Sequence, residues 1–287
     1  MSDPRADSVR ARLLQRARQH GEDFNLLLTR YALERWLYRL SVSDERAGFV
    51  LKGALLFSLW FDEPHRPTRD ADFLGFGAVD AELLRDRLQA ICRIECDDGM
   101  HFDPDSVQVG PIREQARYDG LRAELLGWLG TARCNVQLDV GFGDAVTPAA
   151  QEMDYPTLLA DVPAPHLRVY PRETVLAEKL EAMIVLGMRN SRMKDYFDVW
   201  VLLRQGGFDP AVLAHAIHAT CTRRETALPE GWPTGLADEF ATDAMKLAQW
   251  QAFLRKNQLA APALAELIGE LRAALEQPLD MARGLSA

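Results

Sequence analysis

Two aspartates one residue apart are the clearest sign of chemistry in this sequence. Asp70 and Asp72 lie in the segment Arg66-Pro67-Thr68-Arg69-Asp70-Ala71-Asp72-Phe73. In an extended strand, alternate side chains point to the same face, so both carboxylates would share one face while Ala71 and Phe73 face a core. Mg²⁺ prefers oxygen ligands. The pair therefore predicts half of a divalent-metal site.

A third carboxylate lies in a later segment that alternates strictly. From Val136 to Phe142, apolar residues occupy one phase, and Gln137 and Asp139 occupy the other. This is the pattern of a half-buried strand. If it lies beside the Asp70 strand, the carboxylates of Asp70, Asp72 and Asp139 converge, which suits metal ions that hold substrate phosphates. The alternative for Asp139 is a solvated strand face.

A lysine on an apolar helix face is the next candidate. The segment from Glu173 to Met183 reads as a helix, and the residues three and four positions from Lys179 are Val175, Leu176, Ala182 and Met183. Lysines are seldom buried without a partner, so we expect an anionic ligand or a carboxylate cluster nearby. The alternative is a lysine that reaches solvent from the edge of the apolar face.

A basic turn follows that helix and opens another. Asp195 and Asp198 are three residues apart and would share a helical face. Three cations precede or accompany them: Arg189, Arg192 and Lys194. Charge-assisted hydrogen bonds from these cations would suit a triphosphate. The alternative is ordinary helix-end chemistry, in which acidic residues are favourable near a helix N-terminus.

Composition limits the classes of protein that could carry these residues. The chain has 287 residues, a net charge of -9 and 48% apolar residues. It can bury a core, and its acidity argues against a general nucleic-acid binder, although a local basic patch is compatible with it. The four cysteines match no zinc spacing and predict reduced thiols. The polar N-terminus and the lack of a long apolar run predict a soluble, cytoplasmic protein with no membrane segment.

The elements that position these residues follow from hydropathy patterning. We expect helical structure from about residue 7 to 41, a strand at 49–51 that breaks at Gly53, and a helix at 54–60. A strand at 70–76 and a helix at 81–94 follow, and then an antiparallel portion with strands at 107–109, 117–129 and 135–142. A proline-rich link at 162–165 precedes a strand at 167–170 and a long helical region. The sequence predicts an α+β fold, with a mixed sheet and flanking helices in residues 1–165 and a helical lobe in residues 166–287.

These motifs, in this order, resemble the AbiEii/AbiGii-type nucleotidyltransferase toxins of the DNA polymerase beta-like nucleotidyltransferase superfamily. The similarity covers roughly residues 25 to 255. It is carried by the segments Phe49-Val50-Leu51-Lys52-Gly53-Ala54, Arg66 to Phe73, the Asp139 strand, Ala177-Glu178-Lys179-Leu180 and Arg192 to Asp198. Gly53 is followed by Ala54, where the superfamily usually has Gly, Ser or Thr.

The resemblance implies a bilobed protein with its active site in the cleft between the lobes. It implies that Asp70 and Asp72 bind Mg²⁺ and nucleotide phosphates, that Lys179 contacts the triphosphate and that Asp195, favoured over Asp198, completes the catalytic set. From the residues themselves we expect Asp139 to be a further catalytic residue and metal ligand, which shares a second metal ion with Asp70 and Asp72 and so lowers the pKa of the attacking hydroxyl. Further nucleotide contacts are expected from Lys52, Gly53, Arg66, Thr68, Arg69, Arg189, Arg192, Lys194 and Asp198.

The activity implied by the resemblance is Mg²⁺-dependent transfer of a nucleoside monophosphate from an NTP to an acceptor. The favoured acceptor is the 3′ end of tRNA, contacted through a basic strip made of Arg189, Arg192, Lys194, Arg223 and Arg224. The implied biological role is that of a toxin with a cognate antitoxin. Two alternatives remain open at this point: transfer to a protein or to a small-molecule hydroxyl such as that of an antibiotic, and a catalytically inactive binding protein.

Overall fold

The computed structural model of the protein describes residues 3–61, 66–112 and 120–285. The chain forms two compact units. The first comprises the chain up to Gly143 together with Gln151–Val169, and the second comprises Asp144–Ala150 together with the chain from Tyr170 onward. The sequence places the boundary between 165 and 166. The difference arises because the strand His166–Val169 hydrogen-bonds into the sheet of the first unit.

Two helices begin the first unit. Helix α1 spans Pro4–His20 and helix α2 spans Phe24–Val42. The sequence predicts one helical region here, but the chain breaks at Gly21, which has a φ of 66°. Asp23 caps α2 as predicted, because its side chain accepts a hydrogen bond of 2.8 Å from the Leu26 N–H.

A seven-stranded sheet forms the body of the first unit, in the order β3-β4-β5-β2-β1-β7-β6. The strands are β1 Phe49–Lys52, β2 Asp70–Gly75, β3 Met100–Pro111, β4 Gly120–Leu129, β5 Ala132–Phe142, β6 Gln151–Asp154 and β7 His166–Val169. The β2/β5 and β1/β7 pairs are parallel and the others antiparallel. The predicted mixed sheet is therefore confirmed.

The connections between strands agree in part with the predicted elements. After β1, a short 3-10 helix at Gly53–Leu56 leads into α3, Phe57–Trp60, and α4 spans Ala81–Cys92. Residues 117–119 of the predicted strand lie outside the described residues.

Two edge strands differ from the predicted elements. β3 extends further than predicted because an irregularity between Asp103 and Gln108 interrupts its alternation. β6 was not predicted, since it is a short and largely exposed edge strand without an apolar phase.

The core of the first unit lies on one face of this sheet. Alternating residues of β2, β4 and β5 are buried there, and α2 packs on them, with the ring centroids of Trp36 and Phe73 5.8 Å apart. The opposite phase of these strands carries the polar and charged residues Asp70, Asp72, Arg122, Glu124, Gln137 and Asp139, and further along it carries Leu74, Leu126 and Trp128. The same alternation that builds the core therefore aligns the polar side chains on the other face.

The second unit is helical, as the sequence predicts. Its helices are α5 Arg172–Leu186, α6 Met193–Gln205, α7 Pro210–Arg223, α8 Asp238–Thr242, α9 Ala244–Asn257 and α10 Leu264–Gly284. They share an apolar core that includes Leu180, Trp250 and Leu271, all fully buried. Within the described ranges, no helix has the length and apolar character needed to cross a membrane.

Candidate active site

The Asp70–Asp72 pair lies at the start of β2 and has the geometry predicted from its spacing. Ala71 and Phe73 are 0% and 1% exposed, whereas Asp70 and Asp72 are half-buried on the opposite face. The Thr68 hydroxyl donates a hydrogen bond of 2.6 Å to Oδ1 of Asp70. Both carboxylates therefore lie on the polar face of the sheet, and Thr68 orients one of them.

The register of the sheet places four charged residues in one row across four adjacent strands. Asp72 of β2 pairs with Asp139 of β5 on one side and with Lys52 of β1 on the other. Asp139 in turn pairs with Arg122 of β4. Paired residues on neighbouring strands, which are about 4.8 Å apart, point to the same face. We call Arg122, Asp139, Asp72 and Lys52 the charged row: two carboxylates with a cation at each end.

Arg122 is the residue of this row that the sequence analysis did not single out. Its Nε donates to Oδ1 of Asp139 at 2.8 Å and its Nη2 donates to Oδ2 at 2.7 Å, which is a bidentate ion pair. The alternation of β4, in which Leu121 and Ala123 are buried, indicates that Arg122 faces away from the core. The alternation does not reveal which residue of β5 lies opposite it, because that depends on the register.

Gly53 is tightly fitted against Asp72. It has a φ of +72°, and a Cβ at this position would lie 1.9 Å from Oδ2 of Asp72. The carboxylate thus occupies the volume that any side chain at residue 53 would need. The turn at Gly53, which the sequence predicts between a strand and a helix, therefore lies directly against the Asp72 carboxylate.

The other nucleotide-contact candidates of the first unit lie in the loop before β2. Arg66 and Thr68 are half-buried, and Arg69 is exposed. Among the described residues, no group of three or more His, Cys, Asp or Glu side chains is arranged to hold a metal ion. The assignment of Asp70, Asp72 and Asp139 as metal ligands, and the nucleotide-contact roles of Lys52, Gly53, Arg66, Thr68 and Arg69, stay predictions.

In the second unit, Lys179 of α5 has the carboxylate partners that its position predicts. Its Nζ lies 2.7 Å from Oδ1 of Asp195 and 2.8 Å from Oδ2 of Asp198, both on α6. The lysine side chain is 13% exposed and both aspartates are 0% exposed. The alternative, a lysine that reaches solvent from the edge of the helix face, is therefore wrong. The two aspartates share a helical face, as their spacing predicts.

The charge states in this cluster are mutually stabilised. Burial alone would lower the pKa of Lys179, but the carboxylates of Asp195 and Asp198 outweigh it and hold that pKa above its ordinary value. Burial likewise acts to raise the pKa of Asp195, but Lys179 and Arg192 hold it below its ordinary value. The cluster therefore keeps its ionised form. The catalytic roles of Lys179 and of Asp195 or Asp198 stay predictions.

Four of the five cations that were predicted to form a basic strip are exposed, and Arg224 is the exception. Arg189, Arg192, Lys194 and Arg223 are exposed, and Nε of Arg192 lies 2.7 Å from Oδ2 of Asp195. Arg224 is only 13% exposed, and its guanidinium pairs with three carboxylates. These carboxylates belong to Asp144, Glu178 and Glu181. The inclusion of Arg224 in a solvent-facing basic strip is therefore wrong.

The chain was compared with protein-family models, curated protein sequences and solved structures. A protein-family model described as "Nucleotidyl transferase AbiEii toxin, Type IV TA system" matches residues 35–277. A search of curated protein sequences found no match.

Three solved structures are also similar to the chain. It is 15% identical to JHP933 from Helicobacter pylori, with a TM-score of 0.49 and coverage of 89% of this chain and 92% of that one. It is 15% identical to a candidate nucleotidyltransferase from H. pylori, with a TM-score of 0.47 and coverage of 88% and 95%. An antigenic nucleotidyltransferase-like protein from Paracoccidioides brasiliensis has 14% identity, a TM-score of 0.35 and coverage of 88% and 90%.

Proposed function

We propose that this chain, which belongs to the AbiEii family of nucleotidyltransferase toxins, transfers a nucleoside monophosphate from an NTP to the 3′ end of tRNA in a reaction that requires Mg²⁺. In this proposal the acceptor hydroxyl oxygen forms a bond to the α-phosphorus. The bond from that phosphorus to the oxygen bridging it to the β-phosphorus breaks, pyrophosphate leaves, and the hydroxyl proton passes to solvent.

The observation that carries the proposal is the placement of Asp70 and Asp72 on the polar face of β2, with Asp72 against the Gly53 turn. These half-buried carboxylates fit Mg²⁺, which is commonly held by one or two carboxylates together with substrate phosphates. Mg²⁺ bound there would neutralise charge on the triphosphate. Thr68 orients the Asp70 carboxylate through its hydrogen bond.

The cations of the first unit support binding of the triphosphate. Lys52 lies next to Asp72 in the charged row, and Arg66 and Arg69 immediately precede β2. We assign these three side chains to the phosphates, because a cation near the leaving pyrophosphate stabilises the negative charge that develops there.

We also assign Lys179 to the triphosphate, by the family pattern. Its raised pKa keeps the ammonium charged, and the ammonium has three N–H donors, of which Asp195 and Asp198 need two. Asp195 and Asp198 would then hold the ammonium in place. The exposed side chains of Arg189, Arg192 and Lys194 are the further phosphate contacts of this assignment.

The acceptor and the partners are the finer part of the proposal. A set of four exposed cations in the second unit, Arg189, Arg192, Lys194 and Arg223, offers contacts to an RNA backbone. The family description supports a cognate antitoxin. A cytoplasmic location is included in the proposal because NTPs and tRNA are found there.

The test is transfer of label from each of the four radiolabelled NTPs to total RNA in the presence of Mg²⁺. We expect transfer by the wild type and a loss of at least about 100-fold in Asp72→Asn, which preserves the side-chain shape that fits against Gly53. The matched control is Asp44→Asn, an exposed aspartate after α2, which we expect to retain wild-type transfer.

Equal transfer by the wild type and Asp72→Asn would overturn the assignment. Protein and small-molecule fractions are counted in parallel. Label that appears in either fraction and not in RNA would keep the transferase activity and overturn the tRNA acceptor.

A further inference from the structure

Lys246 is a buried lysine at the N-terminal end of α9. It is 4% exposed. Its Nζ donates to the Asn190 carbonyl oxygen at 2.9 Å and to Oε1 of Gln249 at 3.4 Å, and among the described residues no carboxylate is ion-paired with it. Lysines are almost never fully buried without an acidic partner, and the helix dipole disfavours a cation at this end of a helix. The burial of Lys246 therefore needs an explanation.

The hydrogen bond to Asn190 is what distinguishes this lysine from an apolar residue. Methionine is also unbranched and would fill the same space without placing a charge there. It could not donate a hydrogen bond to the Asn190 carbonyl. We therefore look to Asn190 for the role of Lys246.

Asn190 is a buried polar residue of the basic turn, which we define as residues 187–194. It is 0% exposed, although the side chains of Arg189 and Arg192 on either side of it are exposed. Its N–H donates to the Gly187 carbonyl at 3.0 Å, and its Oδ1 accepts from the Arg192 N–H at 2.8 Å. The third hydrogen bond, from Lys246, connects the turn to α9.

The basic turn also leads directly into the ion cluster of Lys179. The Asp195 N–H donates to the Arg192 carbonyl at 2.9 Å, and Nε of Arg192 lies 2.7 Å from Oδ2 of Asp195. Nζ of Lys179 lies 2.7 Å from the other oxygen of that carboxylate. A shift of Asn190 would therefore move Arg192 relative to this cluster.

We propose that Lys246 is a positioning residue for the triphosphate. By binding the Asn190 carbonyl it fixes the backbone of the basic turn, and it thereby holds the side chains of Arg189, Arg192 and Lys194 where they contact the phosphates. The role in binding the triphosphate rests on the proposed function. The anchoring of the turn rests only on contacts within the second unit.

The first experiment measures amide hydrogen exchange in the full chain, by mass spectrometry with residue-level fragmentation. The N–H groups of Asn190 and Arg192 are hydrogen-bonded within the turn, so their exchange reports its local opening. We expect both to exchange at least about tenfold faster in Lys246→Met than in the wild type. Unchanged exchange in the folded variant would overturn the proposal.

The second experiment measures label transfer as a function of NTP concentration. We expect Lys246→Met to raise the KM for NTP at least about fivefold and to change kcat by less than about threefold, because contacts made equally in the ground and transition states act on KM. A merely structural role would lower the fraction of folded enzyme, and so the apparent kcat, without changing KM. An unchanged KM overturns the proposal.

Two variants of the same helix are the controls. Lys256→Met removes an exposed cation, and Leu254→Ala removes buried side-chain volume about 12 Å along the helix from Lys246. The first should match the wild type in exchange and in KM. The second should lower the urea midpoint and leave KM unchanged. If Leu254→Ala raises KM as much as Lys246→Met, the effect is a general loss of stability and the proposal is overturned.

Exchange in the wild type decides the anchoring if Lys246→Met does not fold. The N–H groups of Asn190 and Arg192 should then exchange at least about 100-fold more slowly than in an unstructured peptide, and protection below about tenfold overturns the proposal. A wild type that transfers no label overturns the proposed function and the role in binding the triphosphate together. In that case the exchange measurements alone decide whether Lys246 anchors the turn.

Discussion

Gly53 and Asp72 depend on each other sterically. A Cβ at residue 53 would lie 1.9 Å from Oδ2 of Asp72 and 2.8 Å from the Cβ of Asp72. Because the Cβ of Asp72 is fixed by the backbone, rotation of the Asp72 side chain can move the oxygen but cannot fully relieve the contact. The presence of glycine here is explained by two requirements, a positive φ and room for a carboxylate.

We expect Gly53→Ala to lose label transfer by at least about tenfold, because it would displace Asp72, a carboxylate of the proposed metal site, from its position. It should also lose about 1 to 2 kcal/mol of stability from the positive φ. The measurements are the transfer assay and urea denaturation. The control is Gly21→Ala, since Gly21 has a φ of +66° but nothing within 4 Å of a built Cβ.

That control should show a similar loss of stability with normal transfer. If both variants transfer label at the wild-type rate, the fit between Gly53 and Asp72 has no part in the reaction.

Lys179 is stabilised by two carboxylates that it also neutralises. Replacing it with methionine would leave Asp195 and Asp198, both 0% exposed, without their shared cation. We expect Lys179→Met to lose about 3 to 5 kcal/mol in free energy of unfolding, as for other broken buried ion pairs. Urea denaturation at pH 7 measures this, with the exposed Lys194→Met as the control, expected within about 0.5 kcal/mol of the wild type.

The pH dependence of that variant has a defined sign. Without the lysine, burial would hold the aspartate pKa values above their ordinary range, and protonation would relieve the buried charge. The difference between Lys179→Met and the wild type should therefore shrink as the pH falls from 7 towards 5. A difference that is small at pH 7 would contradict the view of Lys179 as a buried partner.

At the scale of elements, α2 connects the sheet to the loop that follows β6. Oε2 of Glu34 accepts a hydrogen bond of 2.7 Å from the Leu158 N–H, and its other oxygen lies 2.8 Å from Nη2 of Arg35. Arg35 also donates to the Pro163 carbonyl at 3.0 Å. Burial raises the pKa of Glu34 to about 7, although Arg35 and the Leu158 N–H act to lower it.

This raised pKa predicts a pH-dependent stability. Because the folded pKa is above the ordinary value of 4.5, the folded state holds a proton on Glu34 that the unfolded state has lost. The contribution of Glu34 to the free energy of unfolding should be greatest below pH 4.5 and should fall as the pH rises to about 7. Relative to Glu34→Gln, the free energy of unfolding of the wild type should fall by up to about 1.4 kcal/mol per pH unit between these two pH values.

Urea denaturation at pH 5, 6 and 7 compares the wild type with Glu34→Gln, and with Glu82→Gln at an exposed position of α4 as the control. Parallel stability curves for the wild type and Glu34→Gln would contradict the raised pKa.

The sequence predicts features that depend on neighbouring residues and does not predict those that depend on residues far apart along the chain. The alternation around Asp72 and Asp139 and the apolar neighbours of Lys179 are local patterns, and they predicted which face each side chain takes. Arg122 was missed because its role comes from the register between β4 and β5, which no single strand encodes. The burial of Arg224 was missed for a similar reason, since its three partners are far away in sequence.

At the scale of the whole molecule, membership of a toxin family makes a cellular prediction. Inducible expression of the wild type in a bacterial host should arrest growth, because NMP transfer to an essential RNA would stop translation. Asp72→Asn should not arrest growth, while the exposed control Asp44→Asn should. Growth curves with immunoblots for equal expression measure this. Arrest by Asp72→Asn at equal expression would show that toxicity does not need the proposed metal site.

The chain passes between its two compact units three times, after Gly143, after Ala150 and after Val169. The short segment Asp144–Ala150 is tied into the helical unit by the Asp144–Arg224 ion pair and by hydrogen bonds of 3.0 Å and 2.8 Å between Thr147 and Thr174. Neither unit is thus a single continuous stretch of polypeptide. A cut at one position cannot yield two self-contained fragments, so exchange of either unit between relatives requires three coordinated junctions.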